Sequence, residues 1–231
     1  MKTPQSHPTT KRFARVSGLL LASVASVAAA QQKSTFYAGF GVGGSMTDGD
    51  YSNQVLNAKP LVDPLFFKVN SASINNGARF GGHLYAGYQF TPQIAVELGY
   101  TDFGSRRSKY EVFASTYNAN VTGEFKTSGV SLDLVGRLPV SPTVSVNGRI
   151  GVMQTSLRYS DSDGFSAPST RQSRLHLGVG ATWQFAPNMA ATLDYQRVND
   201  VGRDFAWTTT DTKANGSLNY NLVTAGLRFN F

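Results

Sequence analysis

The sequence predicts an all-β chain folded as an eight-stranded antiparallel up-and-down transmembrane β-barrel, and three observations carry that prediction. Apolar and polar residues alternate with a period of two through eight segments. Short turns and long polar connections alternate strictly between the segments. The polar side of the segments is Gly, Ser, Thr, Asn and Gln with isolated charges. A soluble barrel coats its outside with many Lys and Glu, so this polar side suits the narrow interior of eight strands and leaves the apolar side to face lipid.

Residues 1–30 read as a signal peptide and 31–231 as the barrel domain. Lys2, Lys11, Arg12 and Arg15 form a basic start, Val16 to Val27 is a short apolar stretch, and Ala28-Ala29-Ala30 offers a small-residue cleavage site. The stretch is shorter than the about 20 apolar residues a membrane-spanning helix needs. Removing the segment takes away four cations and no acid, so the net charge falls from +7 to +3. The basicity therefore gives no ground for nucleic-acid binding. The 231 residues include no cysteine, which excludes disulfides and thiolate metal sites together.

Taken in order, Phe36, Ala38, Phe40 and Val42 alternate with Tyr37, Gly39, Gly41 and Gly43 in the first strand. Leu84, Ala86, Tyr88 and Phe90 oppose His83, Tyr85, Gly87 and Gln89 in the second, and Ile94, Val96, Leu98 and Tyr100 oppose Ala95, Glu97, Gly99 and Thr101 in the third. The fourth sets Val130, Leu132 and Leu134 against Ser131, Asp133 and Val135, and the fifth sets Val144, Val146, Ile150 and Val152 against Ser145, Asn147, Arg149 and Gly151. The sixth sets Leu175, Leu177, Val179, Ala181, Trp183 and Phe185 against His176, Gly178, Gly180, Thr182 and Gln184. The seventh sets Met189, Ala191, Leu193 and Tyr195 against Ala190, Thr192, Asp194 and Gln196.

Thr91-Pro92-Gln93, Pro139 to Pro142 and Ala186-Pro187-Asn188 read as tight turns. Thr47 to Gly77, Ser105 to Val121, Ser160 to Gln172 and Asp200 to Ser217 read as long loops. Phe36, Tyr88, Phe90, Trp183, Phe185, Phe229 and Phe231 gather near the tight turns, as an interfacial girdle does, with Tyr100 and Tyr195 toward the other side. One hairpin is used twice: Tyr88-Gln89-Phe90-Thr91-Pro92 is echoed by Trp183-Gln184-Phe185-Ala186-Pro187.

The eighth strand, Leu218 to Phe231, puts Val223, Ala225, Leu227, Phe229 and Phe231 on one face and Thr224, Gly226, Arg228 and Asn230 on the other. Its last residue and the apolar residues before it, among them Leu227 and Phe229, resemble the C-terminal signal read by the barrel assembly machinery of bacterial outer membranes. Taken with the Gly-and-aromatic strands and the alternating connections, residues 31–231 resemble the OmpA-like transmembrane β-barrel family of small outer-membrane proteins. The resemblance implies a Gram-negative cell envelope, short turns in the periplasm and long loops outside the cell. It also implies an assembly role for Leu227, Phe229 and Phe231, but no single activity. Some members continue into a periplasmic peptidoglycan-binding domain, and this chain is expected to stop at the barrel.

Catalysis needs a nucleophile and base within reach, or a metal cluster. The barrel segment has two histidines, His83 and His176, and neither stands at a metal-ligand spacing. Some similar barrels are lipid A deacylases with a serine two residues after a histidine; Tyr85 and Gly178 occupy those places here. Each histidine is expected to be a lumen residue satisfied by neighbouring hydroxyls. Asp161-Ser162-Asp163-Gly164 begins like a calcium loop but lacks the downstream acid, and reads as a surface turn. The expectation is a protein with no enzyme activity, cofactor or metal.

Charges form two groups. Glu97, Asp133, Arg149, Asp194 and Arg228 lie on the wet face and are expected to form a lumen ion-pair network that closes the water path, with position 133 roughly opposite 148 to 149. Arg106, Arg107, Lys109, Arg171 and Arg174 fall toward the outer rim as candidate contacts for lipopolysaccharide phosphates. Arg158, Arg197 and Arg203 lie near them, and so do Asp102, Asp161, Asp163, Asp200 and Asp204, which also fits a solvated mixed rim. The apolar run Leu61 to Phe67 in the first long loop is a candidate contact surface, a cover for the barrel mouth or a segment lying on lipid. The reading is a monomer surrounded by outer-membrane lipid, with a structural and surface-interaction role through its loops. A small porin is the alternative and a lipid A-modifying enzyme the third.

Overall fold

A computed structural model describes residues 35–48, 67–74, 77–114, 117–162, 166–202, 205–206, 213–214 and 218–231. The signal-peptide segment and Leu61 to Phe66 lie outside the described residues. The elements are β1 (Thr35–Asp48), β2 (Phe67–Ile74), β3 (Arg79–Gln89), β4 (Ile94–Ala114), β5 (Tyr117–Pro139) and β6 (Val144–Asp161). They continue with β7 (Ser166–Ala186), β8 (Met189–Val201), β9 (Phe205–Ala206), β10 (Lys213–Ala214) and β11 (Leu218–Asn230).

Antiparallel pairing runs β3-β1-β11-β8-β7-β6-β5-β4, and β4 pairs again with β3, so eight strands close on themselves. The seam joins first and last strands from Tyr37↔Asn230 to Asp48↔Asn219, and the Phe231 amide donates to the Phe36 carbonyl at 2.8 Å. Closure matters because an unpaired sheet edge in hydrocarbon leaves N–H and C=O groups without water. The tight turns are capped by hydroxyls: the Ile94 amide donates to Thr91 Oγ1 and the Val144 amide to Ser141 Oγ, both at 3.0 Å. The duplicated hairpin keeps one bond in both copies, Gln89 Nε2 to the Pro92 carbonyl at 3.0 Å and Gln184 Nε2 to the Pro187 carbonyl at 2.9 Å.

Two of the expected long loops, Ser105 to Val121 and Ser160 to Gln172, are largely strand, and a third, Thr47 to Gly77, contains β2. β4 and β5 remain paired up to Ala114↔Tyr117, β6 reaches Asp161 before β7 begins at Ser166, and β2 lies above β3 against the far half of β4, Phe67↔Ala114 to Ile74↔Ser108. Polarity suggested loops there, but a strand outside lipid can be polar and still gain every ladder hydrogen bond. β9 and β10 pair only with each other within the Asp200 to Ser217 connection.

Burial is inverted relative to a soluble protein over the part nearer the tight turns. Phe40, Leu84, Leu98, Leu132, Ile150 and Leu193 are exposed, whereas Glu97, Asp133, Arg149, Asp194 and Arg228 are buried. The ring pairs Phe36–Tyr88, Tyr88–Phe90 and Trp183–Phe185, with centroids 4.8, 4.8 and 5.9 Å apart, lie at the tight-turn end.

Farther from the turns the pattern reverses. On the outer face of β4 to β7, register stacks the row Leu98, Leu132, Val152 and Leu175 beneath Tyr100, Val130, Gln154 and Ser173. Above these come Asp102, Ser128, Ser156 and Arg171, then Ser105, Lys126 and Arg158. Over the same rise the interior changes from charged to apolar, ending in a buried cluster that includes Phe103, Phe125, Met153, Leu157, Tyr159, Tyr220 and Leu222. The strands thus leave hydrocarbon and continue as a barrel that is polar outside and largely apolar inside.

Candidate functional site

The lumen gathers most of the chemistry-bearing side chains, in three layers. Nearest the tight turns, Tyr37 Oη donates to Glu97 Oε1 at 2.8 Å, and the Arg137 and Arg228 guanidinium carbons lie 5.6 and 5.2 Å from the centre of the Tyr37 ring. Arg137 also donates to Gln89 Oε1 at 2.7 Å. Arg228 makes no ion pair among the described residues and meets the layer through the tyrosine face, a favourable place for a cation.

In the middle layer a single nitrogen, Arg149 Nη2, stands 3.3 Å from Glu97 Oε2 on β4 and 3.2 Å from Asp194 Oδ1 on β8. Arg149 belongs to β6, so this contact spans the barrel. Its stem passes over Gly178 of β7, where a Cβ would sit 2.6 Å from the arginine Cγ, so only glycine leaves room for the crossing. Asp133 is held separately: Oδ1 lies 2.7 Å from His176 Nδ1, and Oδ2 accepts from Ser131 Oγ at 2.7 Å. His176 Nε2 is 3.2 Å from Gln196 Oε1, and Gln196 Nε2 is 2.8 Å from His83 Nδ1. A continuous polar chain therefore runs Ser131, Asp133, His176, Gln196, His83.

The third layer is the apolar cluster, in which the Tyr220 and Phe103 rings lie 5.1 Å apart and the Phe125 and Tyr159 rings 4.7 Å apart. Tyr220 Oη is bonded to Thr127 Oγ1 at 2.8 Å, which satisfies the phenol within an apolar setting.

Several expectations need correction. Asp133 is opposite Gly151, and Arg149 is opposite Val135, because the β5–β6 turn is centred on Pro142 and closed by Val140 N–H to the Val144 carbonyl at 2.9 Å. The histidines are bonded to a carboxylate and an amide rather than to hydroxyls. Arg106 is not at the outer rim. It is 1 % exposed inside the barrel, donating to Ser45 Oγ at 3.1 Å and to the Gly77 carbonyl at 3.2 Å, with the Tyr220 ring 5.7 Å away. A bulge between Asp102 and Ser105, with Gly104 at φ 75°, inserts an unpaired residue and turns the following side chains to the opposite face.

Arg174 also sits on the lumen side, opposite buried Met153, and donates to Gln172 Oε1 at 2.7 Å. Arg107, Lys109 and Arg171 remain exposed on the outer face. Leu227 and Phe229 are half-buried on β11, and Phe231 is exposed beyond it. The apolar layer was the residue set missed by strand-by-strand reading. Its signal was present, since Phe103 continues the inward parity of Thr101, and Leu157 and Tyr159 continue that of Thr155.

A closed eight-stranded barrel, lipid-facing outside and filled with charges inside, defines the small outer-membrane barrels. The chain belongs to the family described as the OmpA-like transmembrane domain, whose model matches residues 31–231. It is 31% identical over 236 residues to outer membrane protein P5 of Haemophilus influenzae, covering 94% of this chain and 59% of that protein. It is 28% identical over 195 residues to outer membrane protein A of Klebsiella aerogenes, covering 83% of this chain and 49% of that one. The chain thus spans about half to three-fifths of the length of these curated relatives.

Among solved structures, Neisserial surface protein A matches with a TM-score of 0.56 at 12% identity, and Ail, the attachment invasion locus protein of Yersinia pestis, with 0.50 at 16%. Each match covers 87% of this chain and 100% of the other, and these likenesses show the fold. The protein is an outer-membrane barrel of a Gram-negative envelope.

Proposed function

We propose that this protein is a closed, non-catalytic barrel that serves as a structural element of the outer membrane and acts through the surface at its long-hairpin end. The observation that carries this reading is the lumen, obstructed twice in series by the Arg149–Glu97–Asp194 layer and by the Phe103–Tyr220 cluster. An eight-stranded interior is narrow enough for side chains to fill. The ring nitrogens of His176 are both engaged by Asp133 and Gln196, which speaks for a structural rather than a catalytic histidine. In this reading the tight turns face the periplasm, and Arg107, Lys109 and Arg171 stand outside the cell near lipopolysaccharide. Single-channel recording of the refolded protein in planar bilayers tests the choice against a small porin: no resolved conductance is expected, and steady ion-selective openings in the wild type would overturn it.

The same reading assigns Leu227, Phe229 and Phe231 to recognition by the assembly machinery. Phe231 is exposed, so it supports little packing. Phe231→Asp is therefore expected to cut outer-membrane yield several-fold while leaving the unfolding free energy of refolded protein within about 0.5 kcal/mol of wild type. Normal yield in cells would remove the assignment.

A further inference from the structure

The bulge that turns Arg106 inward also opens a groove of about 440 Å³ on the outer surface of β4, β5 and β6. Its lining includes Tyr100, Asp102, Lys126, Ser128, Ser156 and Arg158. Lys126 and Arg158 are direct cross-strand partners, and Ser128 and Ser156 are partners one row below. Like charges placed directly opposite each other on a sheet repel. Lys126 has Glu124 at 3.4 Å, but the Arg158 side chain makes no ion pair or hydrogen bond among the described residues. The acid in the groove, Asp102, is partly engaged, since its Oδ1 accepts the Gly104 amide at 2.8 Å.

The surroundings sharpen the charge. Above the apolar rows, the described side chains on the outer face of β4 to β7 include Arg107, Lys109, Lys126, Arg158 and Arg171 against Asp102 and Glu124, five cations to two acids. Across the barrel, on β8, β11 and β1, Arg197 is matched by Asp48 at 3.3 Å and by Asn221 at 2.9 Å. Among the described side chains the positive excess lies on the β4 to β7 side, and the groove lies within it. At its foot Tyr100 and Val130 begin the apolar rows, so a molecule seated there has water above and hydrocarbon directly below.

We propose that this groove binds the phosphate of an outer-leaflet lipid. Arg158 presents its fork to two phosphate oxygens and Lys126 adds a point charge. The Ser128 and Ser156 hydroxyls are placed to donate, and the acyl chains descend over Tyr100 and Val130. A lipid is the source rather than dissolved phosphate because the opening adjoins the surface that acyl chains cover. The assignment rests on the reading of the long-hairpin end as the outward one.

The test uses the full barrel in phosphatidylcholine nanodiscs doped either with bis-phosphorylated lipid A or with the same lipid stripped of both phosphates, with retained lipid counted by native mass spectrometry. Wild type is expected to retain the phosphorylated form preferentially. Arg158→Gln and Lys126→Gln each lose about tenfold in retention, the double variant loses more, and Arg158→Lys recovers part. Both residues are exposed, so the variants should fold, and circular dichroism and gel mobility check that they do. Equal retention of phosphorylated and stripped lipid by wild type overturns both the groove and the lipopolysaccharide-facing rim. Loss in an Arg107→Gln/Arg171→Gln variant but not in Lys126→Gln/Arg158→Gln overturns the groove and leaves the rim standing. Displacement of the lipid by equimolar inorganic phosphate overturns the lipid as the source.

Discussion

Arg149→Ala is expected to lower the stability of the folded barrel by about 3 to 5 kcal/mol, the usual cost of removing one partner from a buried ion pair. One nitrogen serves two carboxylates, and the side chains of Arg149, Glu97 and Asp194 are each no more than 6% exposed. Truncation leaves Glu97 with its Tyr37 bond but no cation within 4 Å, and Asp194 with no ion-pair partner in this network. Arg149→Lys is expected to restore only part, since the shorter lysine chain does not carry its ammonium out to the position of Nη2. Neutralising the acids as well, in Glu97→Gln/Arg149→Gln/Asp194→Asn, is expected to cost less than the three single changes added together. Asp133→Ala should couple to Arg149→Ala more weakly than the Glu97 or Asp194 changes do, because the direct contacts of Asp133 go to His176 and Ser131. Urea unfolding from lipid vesicles gives each value, and a loss below about 1 kcal/mol for Arg149→Ala would show that the lumen tolerates the unpaired acids.

Phe103→Ala should cost a similar amount, about 3 to 5 kcal/mol, through loss of a buried ring and the cavity it leaves. Phe103 is 0% exposed and packs among Tyr220 and other members of the third layer. The more telling readout is electrical. Two obstructions in series predict that neither Phe103→Ala nor the neutralised middle-layer variant conducts alone, whereas their combination does. Neutralising all three charged partners keeps the middle layer of that combination from carrying an unpaired charge, so it is the variant to refold and record. Openings in the neutralised variant alone would mean that the apolar layer does not block ions.

Much of the fold was legible because a period of two is forced on any strand with unlike faces. Eight segments, their turns and the pairing of first strand with last follow from Phe36 to Val42 and Val223 to Phe231 without knowledge of any side-chain contact. Orientation of the faces followed from the polar residues: Gly, Ser and Thr are small enough to line a narrow interior. What escaped the sequence was whatever depends on the count of residues in a turn or on distance across the lumen. A turn centred on Pro142, and not midway between Pro139 and Pro142, shifts the partner of Asp133 to Gly151. One inserted residue near Gly104 sends Arg106 inside. Arg149 meets Glu97 and Asp194 from strands that are not its neighbours, a relation that alternation along any one strand does not encode.

The exchange of polar and apolar faces along β4 to β7 fixes how deep the protein sits. Were the barrel to sink, Lys126 and Arg158 would enter hydrocarbon, at a cost that is small near the interface and rises to about 2–4 kcal/mol per cation at the midplane. Were it to rise, Leu98, Leu132, Val152 and Leu175 would meet water, at about 25 cal/mol for each Å² uncovered. Opposed penalties of this kind act as a spring on vertical displacement, and because Lys126 and Arg158 stand together on β5 and β6, they also resist tilting toward that side. The bilayer therefore holds this barrel at a set height and inclination, and every hairpin above it stands at a fixed distance from the lipid surface.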